Sequence, residues 1–403
     1  MSSVPPGWTI ERFGDHIEFA QNGFSRRETV SEFGPIVLRI ANITGGRISL
    51  HEISQYEMTD EELSTYRLKP GDLLFVRVNG SAQYIGRCAL VGNWSVPMAF
   101  DENIIRLRAA KTYSPKFLYY LLSSPLVRSR LLAEINWSTG GQFTISQPIL
   151  KSLKLPLPPL PEQRKIAAIL STWDEAIGTV EALIAALKRR KQGLMQRLLT
   201  GEVRFPGFTE PWREVRLGEA LAQVQRPTRT STDGSYRLIG VRWYVAGVHI
   251  HDTRDGGDIV TASLSQVRTD DITYNKMWVS KAAFGVVPQE YDGAFCTSEY
   301  PLFRAESDYL VTDYMGYLFF DRKFQKVATD LCRGTTGRVR LDPADFLRIE
   351  VLLPRPDEQV MITNLLKSVD ETIQGREVYL SRLREQKRGL MQRLLTGDVR
   401  VKV

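Results

Sequence analysis

The chain has 403 residues, 43% of them hydrophobic and 25% charged, with a formal net charge of +7. That is the composition of an ordinary globular protein with room for two or three separately cored domains. No apolar run approaches the roughly 18 residues of a membrane span, and the N-terminus MSSVPPGWTIERFGDH lacks a basic-then-apolar leader pattern. Cys88, Cys296 and Cys332 are too scattered for a disulfide framework or a metal site. A cytoplasmic location is expected, with no membrane contact and the thiols serving as small buried hydrophobes. The surplus of Lys and Arg is mild but has the sign a nucleic-acid partner requires.

In chain order, GDLLFVRVNGSAQYIGRCALVG (71–92) predicts two short strands around a polar turn at Asn79, Gly80, Ser81 and Gln83. Residues 114–135 predict a helix with Ser114 as N-cap and Pro115 in its first turn, interrupted near Pro125. Prolines 156, 158, 159 and 161 then stop the upstream structure, and a helix from about 161 to 199 follows, about 57 Å long at 1.5 Å per residue. Glu162 in its first turn suits the helix dipole, and Thr200–Gly201 supplies a C-cap. The second half repeats the order. Strand-like 270–287 and 293–305 precede helical 313–331, then Pro354 and Pro356, then a second long helix with Glu358 in its first turn and Thr396–Gly397 at its end.

The two long helices are copies. Residues 158–204 align without a gap on 354–400 with 22 identities in 47 positions, nine of them consecutive from Gly193 to Gly201. A weaker match extends upstream, pairing STGGQFTI (138–145) with GTTGRVRL (334–341), and GWTIERFGD (7–15) resembles PWREVRLGE (211–219). Each half is therefore a variable body of about 150 residues followed by a shared segment of about 50. In the first copy Ile166, Leu170, Trp173, Ile177, Val180, Ile184, Leu187, Lys191, Leu194 and Leu198 alternate at spacings of 4 and 3. The second copy gives Ile362, Leu366, Val369, Ile373, Arg376, Leu380, Leu383, Lys387, Leu390 and Leu394. This is a coiled-coil seam. An intramolecular pair is expected; antiparallel packing would give an internal pseudo-twofold repeat and hold the two bodies apart. Lys191 and Lys387 at "a" positions either fix the register or reach out to solvent.

Both bodies read as α+β. Loop residues able to meet base edges or phosphates are, in the first, Arg39, Asn42, Arg77, Asn79, Gln83, Tyr84 and Gln142. In the second they are Arg242, Tyr244, Asn275, Lys276, Lys281, Arg333 and Arg338. The matched loops add Ser138, Thr139 and Gly140, and Thr335 and Thr336, small residues over which backbone can approach a phosphate. No phosphate loop, dinucleotide fingerprint or nucleophile elbow is present. His249 and His251 lack a third ligand.

With duplicated helices opening on LP…PEQ and ending in GLMQRLLTGE/DVR, separated by two variable α+β bodies, the whole chain resembles the specificity subunit of a Type I restriction-modification enzyme. The resemblance implies target recognition domains at 1–154 and 205–350, each reading half of a bipartite, asymmetric double-stranded DNA sequence. It implies conserved helical regions at 155–204 and 351–403 that dock two methyltransferase subunits, with restriction subunits joining in some assemblies. The chain itself would be non-catalytic and hold no cofactor. S-adenosylmethionine would belong to the methyltransferase, and ATP with Mg to a restriction subunit. The competing readings are a coiled-coil scaffold without DNA contact and the specificity subunit of a methylation-only system. A free-standing methyltransferase would need an Asn/Asp-Pro-Pro-Tyr/Phe motif, which is missing. Arg376 in the second seam, where the first has Val180, points to two partner sites that differ.

Overall fold

Each variable body opens and closes on the same antiparallel strand pair. Thr9–Arg12 pairs with Lys154–Leu157, and Arg213–Arg216 with Glu350–Leu353, so the residues flanking each long helix are tied back to the start of their own body. The computed structural model describes residues 4–25, 31–137, 141–259, 264–306, 308–334 and 339–402. Contacts divide the chain into a first unit, residues 1–181 with 378–403, and a second, residues 182–377. Both boundaries fall inside long helices, so each unit contains one body, the start of one long helix and the end of the other.

Within each unit a four-stranded sheet has the same order. In the first it runs Ile17–Asn22, Ile104–Ala109, Leu73–Val76, Cys88–Leu90; in the second Leu221–Val224, Leu302–Ala305, Ile272–Tyr274, Phe284–Val286. The central strand Leu73–Val76 is apolar throughout and buried on both faces, as its sequence LLFV requires. A second layer carries a parallel pairing in both bodies, Ile36–Leu38 on Met98–Phe100 and Leu238 on Phe295. The α+β class expected from sequence is what the structure has. Cys88 and Cys296 are buried thiols, and burial pushes Cys296 up to about 12.

A buried aspartate sits at the head of the equivalent strand in each body. Asp72 accepts from Arg108 at 2.7 and 2.8 Å and from the Lys69 backbone N–H at 2.8 Å. Asp271 accepts from Arg226 at 2.7 and 3.0 Å, from Arg304 at 2.7 Å and from the Arg268 N–H at 2.7 Å. Both carboxylates are fully buried, so these partners replace the water they have lost.

The helix expected at 114–135 is two helices, Pro115–Ser123 and Pro125–Ala133, capped by Ser114 and Ser124. The helix read over 313–331 is also divided, into Thr312–Leu318 and Arg322–Asp330. There the apolar run hides the stop: Asp321 caps the second piece by accepting from the Lys323 N–H. The long helices are Leu160–Leu198 and Pro356–Thr396. Gly201 and Gly397, beyond their ends, have φ of +73° and +79°, the left-handed conformation that glycine adopts without strain.

In the first unit residues 162, 174 and 181 meet 400, 387 and 384; in the second, 358, 370 and 377 meet 204, 191 and 188. Rising numbers on one helix meet falling numbers on the other, so the pairing is antiparallel in each unit. Ile166, Leu170, Ile177, Ile184, Ile362, Leu366, Ile373, Leu380 and Leu383 are buried; Trp173, Leu187 and Val369 lie half-buried at the margin. Arg376, placed in the seam by spacing, is exposed. Its charge stays in water.

Candidate nucleic-acid interface

The connection following the buried central strand carries sequence-predicted residues in both bodies. In the first it runs from Arg77 to Arg87. Arg77 donates to the Glu102 carbonyl at 3.1 Å, Asn79 accepts from the Ser81 N–H at 2.9 Å in an Asx turn, and Gln83 and Tyr84 are exposed. Arg128 braces the loop by donating to the carbonyls of Ala82, Gln83 and Ile85. Arg87 lies 4.1 Å over the Tyr84 ring. Asn79 pairs with Phe143, which places this loop beside Gln142. Ser138, Thr139 and Gly140 lie outside the described residues, as do Thr335, Thr336 and Arg338.

Arg39 and Asn42 sit in a different loop. Arg39 donates to the Tyr56 hydroxyl and lies over that ring at 5.5 Å. Asn42 corrects the sequence reading: it is 2% exposed, accepts from the Arg39 N–H at 2.9 Å and donates to the Ser49 and His51 carbonyls. Its amide shapes the loop, with both the oxygen and the nitrogen taken up by backbone partners.

The second body gathers its candidates more tightly. The hairpin turn with Arg242 and Tyr244 is joined to the loop carrying Asn275, Lys276 and Lys281 through Tyr244 N–H to Lys281 O at 2.7 Å. Asn275 spends its amide internally, donating to Tyr300 Oη at 3.2 Å and accepting from the Met277 N–H at 3.0 Å. The Lys276 backbone carbonyl accepts from the Leu341 N–H, next to Arg340, which forms an isolated antiparallel bridge with Arg333. Arg333 is held by Asp345 at 3.2 Å. Sequence reasoning missed Trp243, Met277 and Trp278, all about 40% exposed at this surface. The signal was present: RWY and MWV each set an aromatic beside a candidate on a polar loop. His249 and His251 lie on a strand with rings 6.0 Å apart, and no metal-holding cluster occurs among the described residues.

The repeated helix residues form a second, duplicated arrangement. Glu162 accepts from Arg400 at 2.8 and 2.9 Å and from the Trp8 indole at 3.2 Å. Glu358 accepts from Arg204 at 3.0 and 2.7 Å and from the Trp212 indole at 3.2 Å. The adjacent Gln163 and Gln359 accept from the Ser114 and Val311 N–H groups at 3.0 and 2.9 Å, tying each helix start to a helix start in its body. Lys387 reaches Asp174 at 2.7 Å and Lys191 reaches Asp370 at 2.6 Å, while Tyr120 and Tyr317 donate to the same two aspartates. The seam lysines therefore pair across the helices, a register-setting contact. Beside Lys191 in the second unit lies a cleft of about 590 Å³, floored by Met195, Leu199, Phe320 and Ile373 and edged by Lys188 and Lys323.

Residues 18–189 match the family model described as Type I restriction modification DNA specificity domain. The chain is 26% identical over 431 residues to the Type I restriction enzyme MjaVIII specificity subunit of Methanocaldococcus jannaschii, covering 99% of this chain and 94% of that protein. Residues 18–189 thus resemble a Type I specificity domain, and the chain over nearly its whole length is similar in sequence to Type I specificity subunits. It is also 29% identical over 198 residues to the EcoKI specificity subunit of Escherichia coli K12, 48% of this chain and 41% of that one. In fold, the chain matches one from a structure addressing complex assembly and conformational transition of a type I R-M system. The TM-score is 0.60 with 18% identity, covering 99% of this chain and 100% of that one. Among the described residues no helix is long and apolar enough to cross a membrane.

Proposed function

We propose that this chain is the non-catalytic DNA-reading subunit of a cytoplasmic Type I restriction-modification assembly. Each body reads one half of a bipartite, asymmetric double-stranded site, and the long helices dock two methyltransferase subunits. S-adenosylmethionine enters with the methyltransferase, and ATP with Mg enters with a restriction subunit where one joins.

The observation that carries this reading is the duplicated helix arrangement. Glu162, Asp174, Lys387 and Arg400 in one unit and Glu358, Asp370, Lys191 and Arg204 in the other make the same contacts around the same kinds of aromatic residue. A single chain with two such surfaces can offer like partners two like seats, as a homodimer does with two chains. Around those shared contacts the candidate loops differ: Asn79, Gln83 and Tyr84 occupy one, Asn275, Lys276 and Lys281 the equivalent connection of the other. Shared seats with different readers are what an asymmetric target requires.

Native mass spectrometry of the chain mixed with its methyltransferase tests the docking. Two partner copies per chain are expected at saturation. One copy at saturation would contradict the duplicated-seat reading.

A further inference from the structure

At the turn between strands Ser235–Val241 and Val248–Asp255, Trp243 and Tyr244 project from the second body, 44% and 68% exposed. The backbone there is held in conformations that side-chain-bearing residues avoid. Tyr244 and Val245 have φ of +59° and +54°, and Ala282, which faces them, +49°. A β-branched residue in the left-handed region is an outlier, and such strain persists only where surrounding contacts over-determine it. Those contacts are present: Tyr244 N–H to Lys281 O at 2.7 Å, Val245 N–H to Ala282 O at 2.9 Å and Arg242 N–H to Gly247 O at 3.0 Å. Trp278 backs the turn, its ring 5.0 Å from that of Trp243, and the Tyr244 ring stands edge-on to Trp243 at 87°.

The result is a rigid, solvent-facing tyrosine whose ring is supported from behind. Arg242 and Lys281 flank it, exposed, and among the described residues no carboxylate pairs with either. An aromatic ring with a fixed base and unpaired cations on both sides has the chemistry of a group that stacks on a nucleobase while phosphates are held alongside. Tyr84 in the first body also stands in a loop, but there Arg87 covers its ring at 4.1 Å, and the backbone of neither is left-handed.

We propose that Tyr244 is a wedge that enters the base stack of duplex DNA within the half-site read by the second body. The proposal rests on the DNA-reading function above. A base inside a duplex is reached by a methyltransferase only after it is unstacked, and an aromatic side chain that replaces a lost stacking neighbour lowers the cost of that opening.

The test uses the full chain assembled with its methyltransferase. Once the methylated motif is known from sequencing a host that carries the assembly, duplexes are made with 2-aminopurine at successive positions of the second half-site. With the unaltered chain, fluorescence should rise several-fold at a position beside the methylated base, reporting a step opened there. Tyr244→Phe should preserve that rise. Tyr244→Ala should abolish it and weaken motif binding about ten-fold, the scale of one lost base–aromatic stack. Tyr244→Gly, which suits a positive φ, should abolish it while leaving the melting temperature unchanged or higher, separating a lost wedge from a damaged fold. A rise confined to the methylated base, or one equal in Tyr244→Ala, would overturn the proposal while motif binding by gel shift left the DNA-reading function standing. Absence of motif binding by the unaltered assembly would overturn both.

Discussion

Asp271→Ala is expected to destabilise the second unit by about 3 kcal/mol. The carboxylate is fully buried and accepts from both nitrogens of the Arg226 fork, from Arg304 and from the Arg268 backbone. Removing one partner of a buried ion pair typically costs about 3–5 kcal/mol, because the other charge is left without its counterion. The lower end applies here, since the Arg226 and Arg304 side chains are 26% and 39% exposed and recover some water. For a unit of this size the loss lowers its melting temperature by on the order of 10 °C. Asp72→Ala removes a pair with Arg108 alone and is expected to cost the first unit less, about 2 kcal/mol. Calorimetry of the intact chain checks both. Equal shifts for the two variants would mean that the number of arginines on the buried aspartate does not matter.

Glu358→Ala is the second large effect, about 3 kcal/mol. Glu358 is fully buried in the first turn of the second long helix and joins Arg204, which follows the first long helix, to Trp212 at the start of the second body. Its loss leaves an arginine and an indole without their acceptor in one step. The equivalent Glu162 adds a pH dependence. The hydrogen bonds from the Arg400 guanidinium, more than the one from Trp8, hold its carboxyl below the usual glutamate range. A carboxylate depressed in the folded state stabilises the protein fully above its unfolded value, about 4.3, and that contribution is lost as pH falls from there through the folded value. Melting temperature should therefore drop more steeply below pH 4.3 for the unaltered chain than for Glu162→Gln. Parallel profiles would remove the charge from the account.

The long helices were legible because their signals are local and redundant: a 4–3 apolar spacing, prolines before, a glycine after. Their contacts with the bodies were not, because Glu162 with Trp8 and Glu358 with Trp212 are separated by 154 and 146 residues. Only the repeat, which keeps glutamate, aspartate, lysine and arginine at an offset of 196, hinted that these positions were held for a reason. The division at Asp321 escaped notice since the apolar YLFF before it reads as continuing helix. Arg376 satisfied the spacing and failed the chemistry.

The candidate interface was legible only by residue type. Asn42 and Asn79 are both loop asparagines, yet one is buried as a brace and the other caps an open turn. Nothing in the letters separates those uses. Trp243 and Trp278 went unremarked because exposed aromatics resemble core residues until a fold places them at the surface.

The measurement that bears most directly on the central claim is the methylome of a host in which residues 205–350 have been replaced by the corresponding body of another specificity subunit, expressed with the same methyltransferase. Two independent readers on duplicated seats are expected to give a split motif in which one half is changed and the other is identical to that of the unaltered chain. A motif altered in both halves, or one that is continuous rather than split, would contradict it.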